Sequence, residues 1–576
     1  MLVRRRARFA GLVLALLFAG CAGDTGSART STSPNSTSVE PPSAAPKRII
    51  AGVMGVHSTA NSKTIGPGRP PGFDALEALV SAGVANADDH GNLRPQLAEA
   101  VPSVDNGLWT VEPDGRMQTT WKLKSTALWQ DGVPVTTDDL LLTADVSQDP
   151  DLPNFRDSSA KYIESMDARD AQTLVVHWKR PFIGADSLFT DIHIVPLPAH
   201  ILRQPYEENK ANFLELPYWR DEFVGSGPFK VREWQLGTKV VLEANDRYVL
   251  GRPKVDAVEV RFIPDPNALV ANVLSGEIEL TMGRGLSLEQ TIQVRDEWRN
   301  GKPDVAYDSW IAIYPQMLNP TPSVILDARF RRAMLEAIDR QEMVETIQHG
   351  LVPVADTILA PTEPEYPAVE SSIVRYPFDV ALAAQGLEAL GYSRGPDGWY
   401  RSSDGERLAV QIRSTPGDVQ QKGMISVADY WQRIGVAVET VEIPPARAND
   451  RPYRYTRPGF ELQRQPNAPE DIERYHSAQA PVPENNFTGT SKSRYMNADL
   501  DALIDAFFAT IPTGARVSIF AQIVHHISDQ VVPLPLFYDA NAALVGNRLQ
   551  NVAARHGRNS TEAWNAELWD VSSQSR

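Results

Sequence analysis

The stretch "VDAVEVRFIPDPNALVANVLSGEIEL", residues 255 to 280, sets two periodicities side by side. Val258, Val260 and Phe262 alternate with Glu259 and Arg261, the period of two that marks a half-buried strand. The spacing then changes: Leu269, Val270, Val273 and Leu274 fall on one face of a helix. Asp265 stands where an N-cap accepts backbone N–H groups, Pro266 takes the first helical position, and Gly276 stops the helix.

The same alternation of element types extends outward. "LAVQIR" repeats the strand with Leu408, Val410 and Ile412. "DARFRRAMLEAIDRQEMVETIQHG" predicts one long helix from an Asp327 cap to Gly350, with Phe330, Met334, Ile338 and Ile347 inside. "DVALAAQGLEALG" and "NADLDALIDAFFATIP" predict two more. Interleaved strands and helices of this kind argue for α/β lobes, not an all-helical or all-β chain.

The N-terminus reads differently. Arg4, Arg5, Arg6 and Arg8 precede an apolar run, Gly11 to Phe18, that with its flanks is about half the length of a bilayer-spanning helix. Residues 1–20 therefore read as an export signal. Cys21, the single cysteine of 576 residues, follows Ala19 and Gly20. This resembles the lipobox of bacterial lipoproteins, in which the signal is cut before a cysteine that carries lipid, although Phe18 stands where that motif prefers a smaller aliphatic residue. The alternative is an ordinary secretory signal with an incidental cysteine. A thiol kept for lipidation accounts for the count, and with no second cysteine no intramolecular disulfide can form, so burial alone must stabilise the fold. Residues 21–47, rich in Ser, Thr, Pro and Ala, read as a disordered tether. Past it no apolar run reaches membrane-spanning length, so the folded part is expected to be held at the membrane by lipid alone.

The formal charge of −16 becomes −20 once the four signal arginines are removed, which argues against a nucleic-acid partner. The roughly 530 residues beyond the tether exceed what one hydrophobic core supports, so two or more lobes are expected. Signatures of catalysis are missing. There is no His-Glu-x-x-His pair, and His525 and His526 are helix neighbours whose side chains diverge. There is no Gly-x-Ser-x-Gly elbow, and Cys21 is the only thiol. No cofactor and no metal site is expected. Paired carboxylates of a glycoside-type hydrolase stay open as a rival, because 72 acidic residues offer many pairs.

Several motifs read as structural. Asp131 and Gly132 suit a tight turn, Thr136 with Asp139 a capping box, and Gly225 with Gly227 a backbone bend. In chain order "LRPQLAEA" (93–100), "LWQDGVPVTTDDL" (128–140), "GSGPFKVREW" (225–234), "LEANDRY" (242–248), "PDPNALVANVLSGEIEL" (264–280), "FRRAMLEAIDRQEMV" (330–344), "YWQRIGVAVE" (430–439), "YHSAQAPVPENNFTGTSKSRYMNADLDALI" (475–504) and "VVPLPLFY" (531–538) resemble, collinearly, the family 5 solute-binding proteins of bacterial ABC importers, the oligopeptide, dipeptide and nickel class.

The resemblance implies a two-lobed periplasmic-binding-protein-like α/β fold of type II, in the large cluster with an extra subdomain in lobe I and a hinge between the lobes. The implied boundaries are 48–307 for the first part of lobe I, with a subdomain insertion at about 84–192, then 308–530 for lobe II, and 531–576 for the return to lobe I. The implied function is a lipid-anchored receptor on the outer face of the cytoplasmic membrane or in the periplasm, monomeric and not an enzyme. It would take a peptide or similar small polar solute in the cleft and hand it to a permease; a sensor passing occupancy to a membrane partner is an alternative. Trp310 and Tyr314 on the crossover strand, and Met282 and Arg284 after "GEIEL", match cleft-facing segments of the family; for Trp310 and Tyr314 plain core packing is the competing reading. Where peptide binders present a Trp and an Asp that pairs with an α-amino group, this chain has Gln463, Arg464, Gln465 and Asn467, with Glu470 and Asp471 further on. An Arg at that place would repel an ammonium group and favour an anion or a polyol, so poor binding of free-amine peptides is expected.

Overall fold

Strand Ala257–Ile263 forms where its alternation places it, with Val258 and Val260 fully buried. It pairs in parallel with Arg48–Met54 and antiparallel with Lys239–Ala244 inside a seven-stranded sheet. Across that sheet the order is Gly301–Ala306, Asn541–Gly546, Leu280–Met282, Arg48–Met54, Ala257–Ile263, Lys239–Ala244 and Phe229–Gln235. Helix Pro266–Leu274 follows, its Asp265 cap accepting the Ala268 N–H at 2.7 Å while Leu269, Val270 and Val273 are buried. The computed structural model describes residues 46–65, 70–157, 159–556 and 561–572. The export signal, Cys21 and the tether up to residue 45 lie outside the described residues.

Two further large sheets follow, with three two-stranded ribbons beside them. Trp109–Val111, Met117–Lys122, Thr173–Trp178 and Ile163–Ala168 form a four-stranded antiparallel sheet within the first part of the chain. Ala437–Glu442, Ala409–Ser414, Phe460–Pro466, Ser309–Pro315 and Leu534–Tyr538 form a five-stranded sheet. The chain passes between the seven- and five-stranded sheets twice, at Tyr307–Asp308 and at Asp539–Ala540. The crossings run side by side and antiparallel, with Ala306 opposite Asn541 in one sheet and Trp310 opposite Tyr538 in the other.

Two boundaries differ from expectation. Strand Leu534–Tyr538 belongs to the five-stranded sheet, so lobe II runs to about residue 538, not 530, and the return to lobe I starts at Asn541 instead of Val531. An apolar run such as "PLPLFY" fits a buried strand of either lobe; its partner Ser309–Pro315 decides. The long helix expected over 327–350 is two, Ala328–Glu336 and Arg340–Ile347. The first ends at its C-cap Ala337, and Asp339 caps the second by accepting the Glu342 N–H at 2.9 Å, an acidic N-cap that the periodicity alone hides.

The quoted motifs are scaffolding. Asp139 accepts the backbone N–H of Thr136 at 2.7 Å, that of Ala199 at 2.7 Å and the indole N–H of Trp129 at 3.2 Å, so its carboxylate is fully used in fixing a helix start. Gly225 and Gly227 pass so close to Val80 that an added Cβ would meet its carbonyl group at 1.9 and 2.4 Å, which excludes any side chain. No helix among the described residues is long and apolar enough to cross a membrane.

Candidate functional site

A cavity of about 880 Å³ opens between the four-stranded subdomain of lobe I and lobe II. Lobe I contributes the segment Arg180 to Ser187 and the loops around Gly91 and Pro102. Lobe II contributes Glu363–Glu365, the run from Ala468 to Gln479, and the helices Ala498–Ala509 and Thr513–Gln530. The 468–479 run is shaped by Asp471, which accepts the Ala468 N–H at 3.0 Å and pairs with Arg474 at 2.5 Å. One apolar cluster includes Leu188 and Phe189 of the subdomain side and Ile472, Phe507 and Phe520 of lobe II, so the two sides of the cavity share a core.

The cavity wall carries both signs: Lys161, Arg180, Arg474 and Arg516 line it together with a larger set of carboxyl groups. Asp186 from lobe I and Glu363, Glu365 and Glu470 from lobe II make no ion pair among the described residues, and Glu363 Oε1 is buried without a hydrogen-bond partner. Burial, with the Glu470 charge added, pushes the Asp186 carboxyl up to about 7 against the opposing pull of Arg516. Burial together with Glu365 and Glu470 pushes Glu363 up to about 8. Burial also raises Glu365, with Glu470 again adding and Arg516 opposing. Crowded buried carboxylates raise one another in this way because each disfavours ionisation of the next. A cationic group placed among them would relieve that repulsion.

Ser187 and His193 also line the cavity, with Ser187 Oγ 2.9 Å from His193 Nε2 and His193 Nδ1 3.0 Å from the buried Asp157. The Ser187 hydroxyl donates to the Gly184 carbonyl at 2.8 Å and Asp157 accepts from Ser159, so the chain of contacts fastens a turn.

The seven residues singled out from the sequence lie elsewhere; none lines the cavity. Trp310 and Tyr314 are each 1% exposed, in one apolar cluster with Ile472, Tyr475 and residues of the helices Ala498–Ala509 and Thr513–Gln530. Met282 is buried in the lobe I core, and Arg284 pairs at 2.9 Å with the fully buried Glu562. Gln463 and Asn467 are buried in lobe II. Arg464 donates to Ser309 Oγ at 2.8 Å and pairs with Asp539 at 2.7 Å, bridging both interlobe crossings. Beside it Gln348 donates to Asp539 at 3.1 Å and Asn541 to Asp308 at 3.2 Å. Arg464 is thus paired at the crossings, while Glu470 reaches the cavity. Asp186, Glu363, Glu365 and Arg516 were missed; the Pro-flanked carboxyls of "PTEPEYP" were the available signal.

Two lobes joined by paired crossings around an interlobe cavity define a hinged binding protein. A model of the bacterial extracellular solute-binding proteins, family 5, matches residues 92–474, and the chain belongs to that family. The family description names binding, not catalysis. The oligopeptide-binding protein AppA of Bacillus subtilis is 25% identical over 371 residues, 63% of this chain and 64% of that one. A putative ABC transporter peptide-binding protein of Brucella ovis is 27% identical over 285 residues, 49% of this chain and 51% of that one. The chain thus spans between half and two thirds of the length of these curated relatives. Among solved structures, Bacillus subtilis AppA with a nonapeptide superposes with a TM-score of 0.64 at 22% identity, over 92% of this chain and 100% of that one. NikA of Brucella suis with Fe(III)-EDTA gives 0.71 at 19%, over 91% and 100%. These superpositions establish the two-lobed α/β fold.

Proposed function

We propose that the chain is the extracytoplasmic receptor of an ABC importer, held outside the cell by lipid on Cys21, and that it closes as a monomer on a peptide or similar small polar solute. The observation that carries this reading is the cavity of about 880 Å³ walled by both lobes, a volume in the range that encloses small ligands. Relatives named for oligopeptide binding and a neighbour solved with a nonapeptide support the solute class. The four carboxyls without an ion pair favour a solute with a cationic group, although Lys161, Arg180, Arg474 and Arg516 share the same wall. Closure follows from differential affinity: only when the lobes meet do Asp186 and Glu470 face the same ligand, so occupancy favours the closed state. The hydrolase rival is weakened because the paired acids crowd into a receptor cavity of a binding family.

A thermal-shift screen of short peptides, oligosaccharides and anions tests this. A true ligand at about 100 times its dissociation constant adds about 2.7 kcal/mol of stability. Lys- or Arg-bearing peptides are expected to shift the melt and to be recovered uncleaved. Shifts given only by anions or sugars, or cleavage of the peptide, would refute the assignment.

A further inference from the structure

A second pocket, of about 400 Å³, opens on lobe II and shares no lining residue with the interlobe cavity. Arg451, Arg454 and Lys492 line it, with Glu461 and Gln463 at its buried floor. Glu461 is already saturated. Arg413 grips its Oε2 through Nε at 2.9 Å and Nη2 at 2.8 Å, Arg454 holds Oε1, and Arg457 stands 3.7 Å from Oε2. Three guanidinium groups thus surround one carboxylate, and Lys492 and Arg451 line the same pocket, so cationic side chains outnumber its one buried carboxylate. Lys492 makes no ion pair among the described residues and rests 5.8 Å over the Tyr455 ring. Arg454 Nε and Arg457 Nε are buried N–H groups without an acceptor. Burial, and then the charges of Arg454, Arg474 and Arg457, bring the Lys492 ammonium down to about 8 in spite of Glu461.

We propose that this pocket is a binding site for a small oxyanion of the phosphate class, held by Lys492 and Arg451, with Arg454, whose Nη1 and Nη2 are spent on the Ala448 carbonyl and Glu461, adding its charge and its buried Nε–H. Guanidinium forks match the paired oxygens of such an anion, and a doubly charged ion offsets more of the excess than a carboxylate does. The site differs from the solute cavity in both place and sign, so it accepts a different ligand.

Titration calorimetry of inorganic phosphate into the purified protein, at fixed ionic strength and neutral pH, tests the proposal. Saturable one-to-one binding is expected, weakened at least about tenfold by Lys492→Gln and by the solvent-exposed Arg451→Gln, kept by Lys492→Arg, and unchanged by Arg516→Gln in the interlobe cavity. No saturable binding, binding that survives both pocket variants, or binding lost with Arg516→Gln would overturn it.

Discussion

Raising the pH should tighten the interlobe cavity's hold on a cation. Glu363 keeps its proton up to about 8 and Asp186 up to about 7, so at pH 6 a bound cation must displace a proton from whichever it engages. By linkage, a cation resting on ionised Glu363 gains about 80-fold in affinity from about pH 6 to about 8.5, and one resting on Asp186 alone gains about tenfold. The assay is calorimetry with an arginine-bearing peptide, whose guanidinium stays charged throughout. Glu363→Gln should flatten the slope. Folding carries the opposite sign: an acid whose folded pKa exceeds its unfolded value keeps a proton that the unfolded chain has lost. Stability of the ligand-free protein therefore falls as pH rises from about 4.5 to about 8. Peptide affinity that is flat or falls with pH would refute the reasoning.

Glu470→Gln removes the charge that raises Asp186, Glu363 and Glu365 together, so cationic-peptide affinity at high pH should drop about tenfold, about 1.4 kcal/mol, and the pH dependence should move to lower pH; calorimetry reads both. Arg464→Ala leaves the buried Asp539 facing only Gln348. A broken buried pair costs about 3–5 kcal/mol, and because Arg464 is 40% exposed about 1–3 kcal/mol is expected in urea denaturation, with a wider ligand-free particle in X-ray scattering; wild-type values in both would contradict the hinge role. Trp310→Ala should cost about 3–5 kcal/mol as a core truncation, whereas wild-type stability with lost ligand binding would make Trp310 a ligand contact.

The fold was legible because its signals are local. Asp265, Pro266 and Gly276 mark a helix by their own chemistry, and Val258 to Phe262 mark a strand by alternation, whatever surrounds them. The site was not, because it is assembled from Asp186, Glu363, Glu470 and Arg516, which no spacing connects. Trp310 and Tyr314 are buried in one apolar cluster with Ile472, Tyr475, Phe507 and Phe520, and the cavity lies elsewhere. Sequence period fixes which face a side chain takes but not what covers it. Arg464 shows the same limit: its charge was plain, but its partners Asp308 and Asp539 come from the two crossings, brought together only by sheet pairing.

Native mass spectrometry of the protein purified from an exporting bacterial host tests the central claim most directly. One small polar solute bearing a positive group, bound one to one and released with its mass intact after long incubation, is the expected result. An anionic or wholly apolar passenger, or fragments of a cleaved one, would contradict the account.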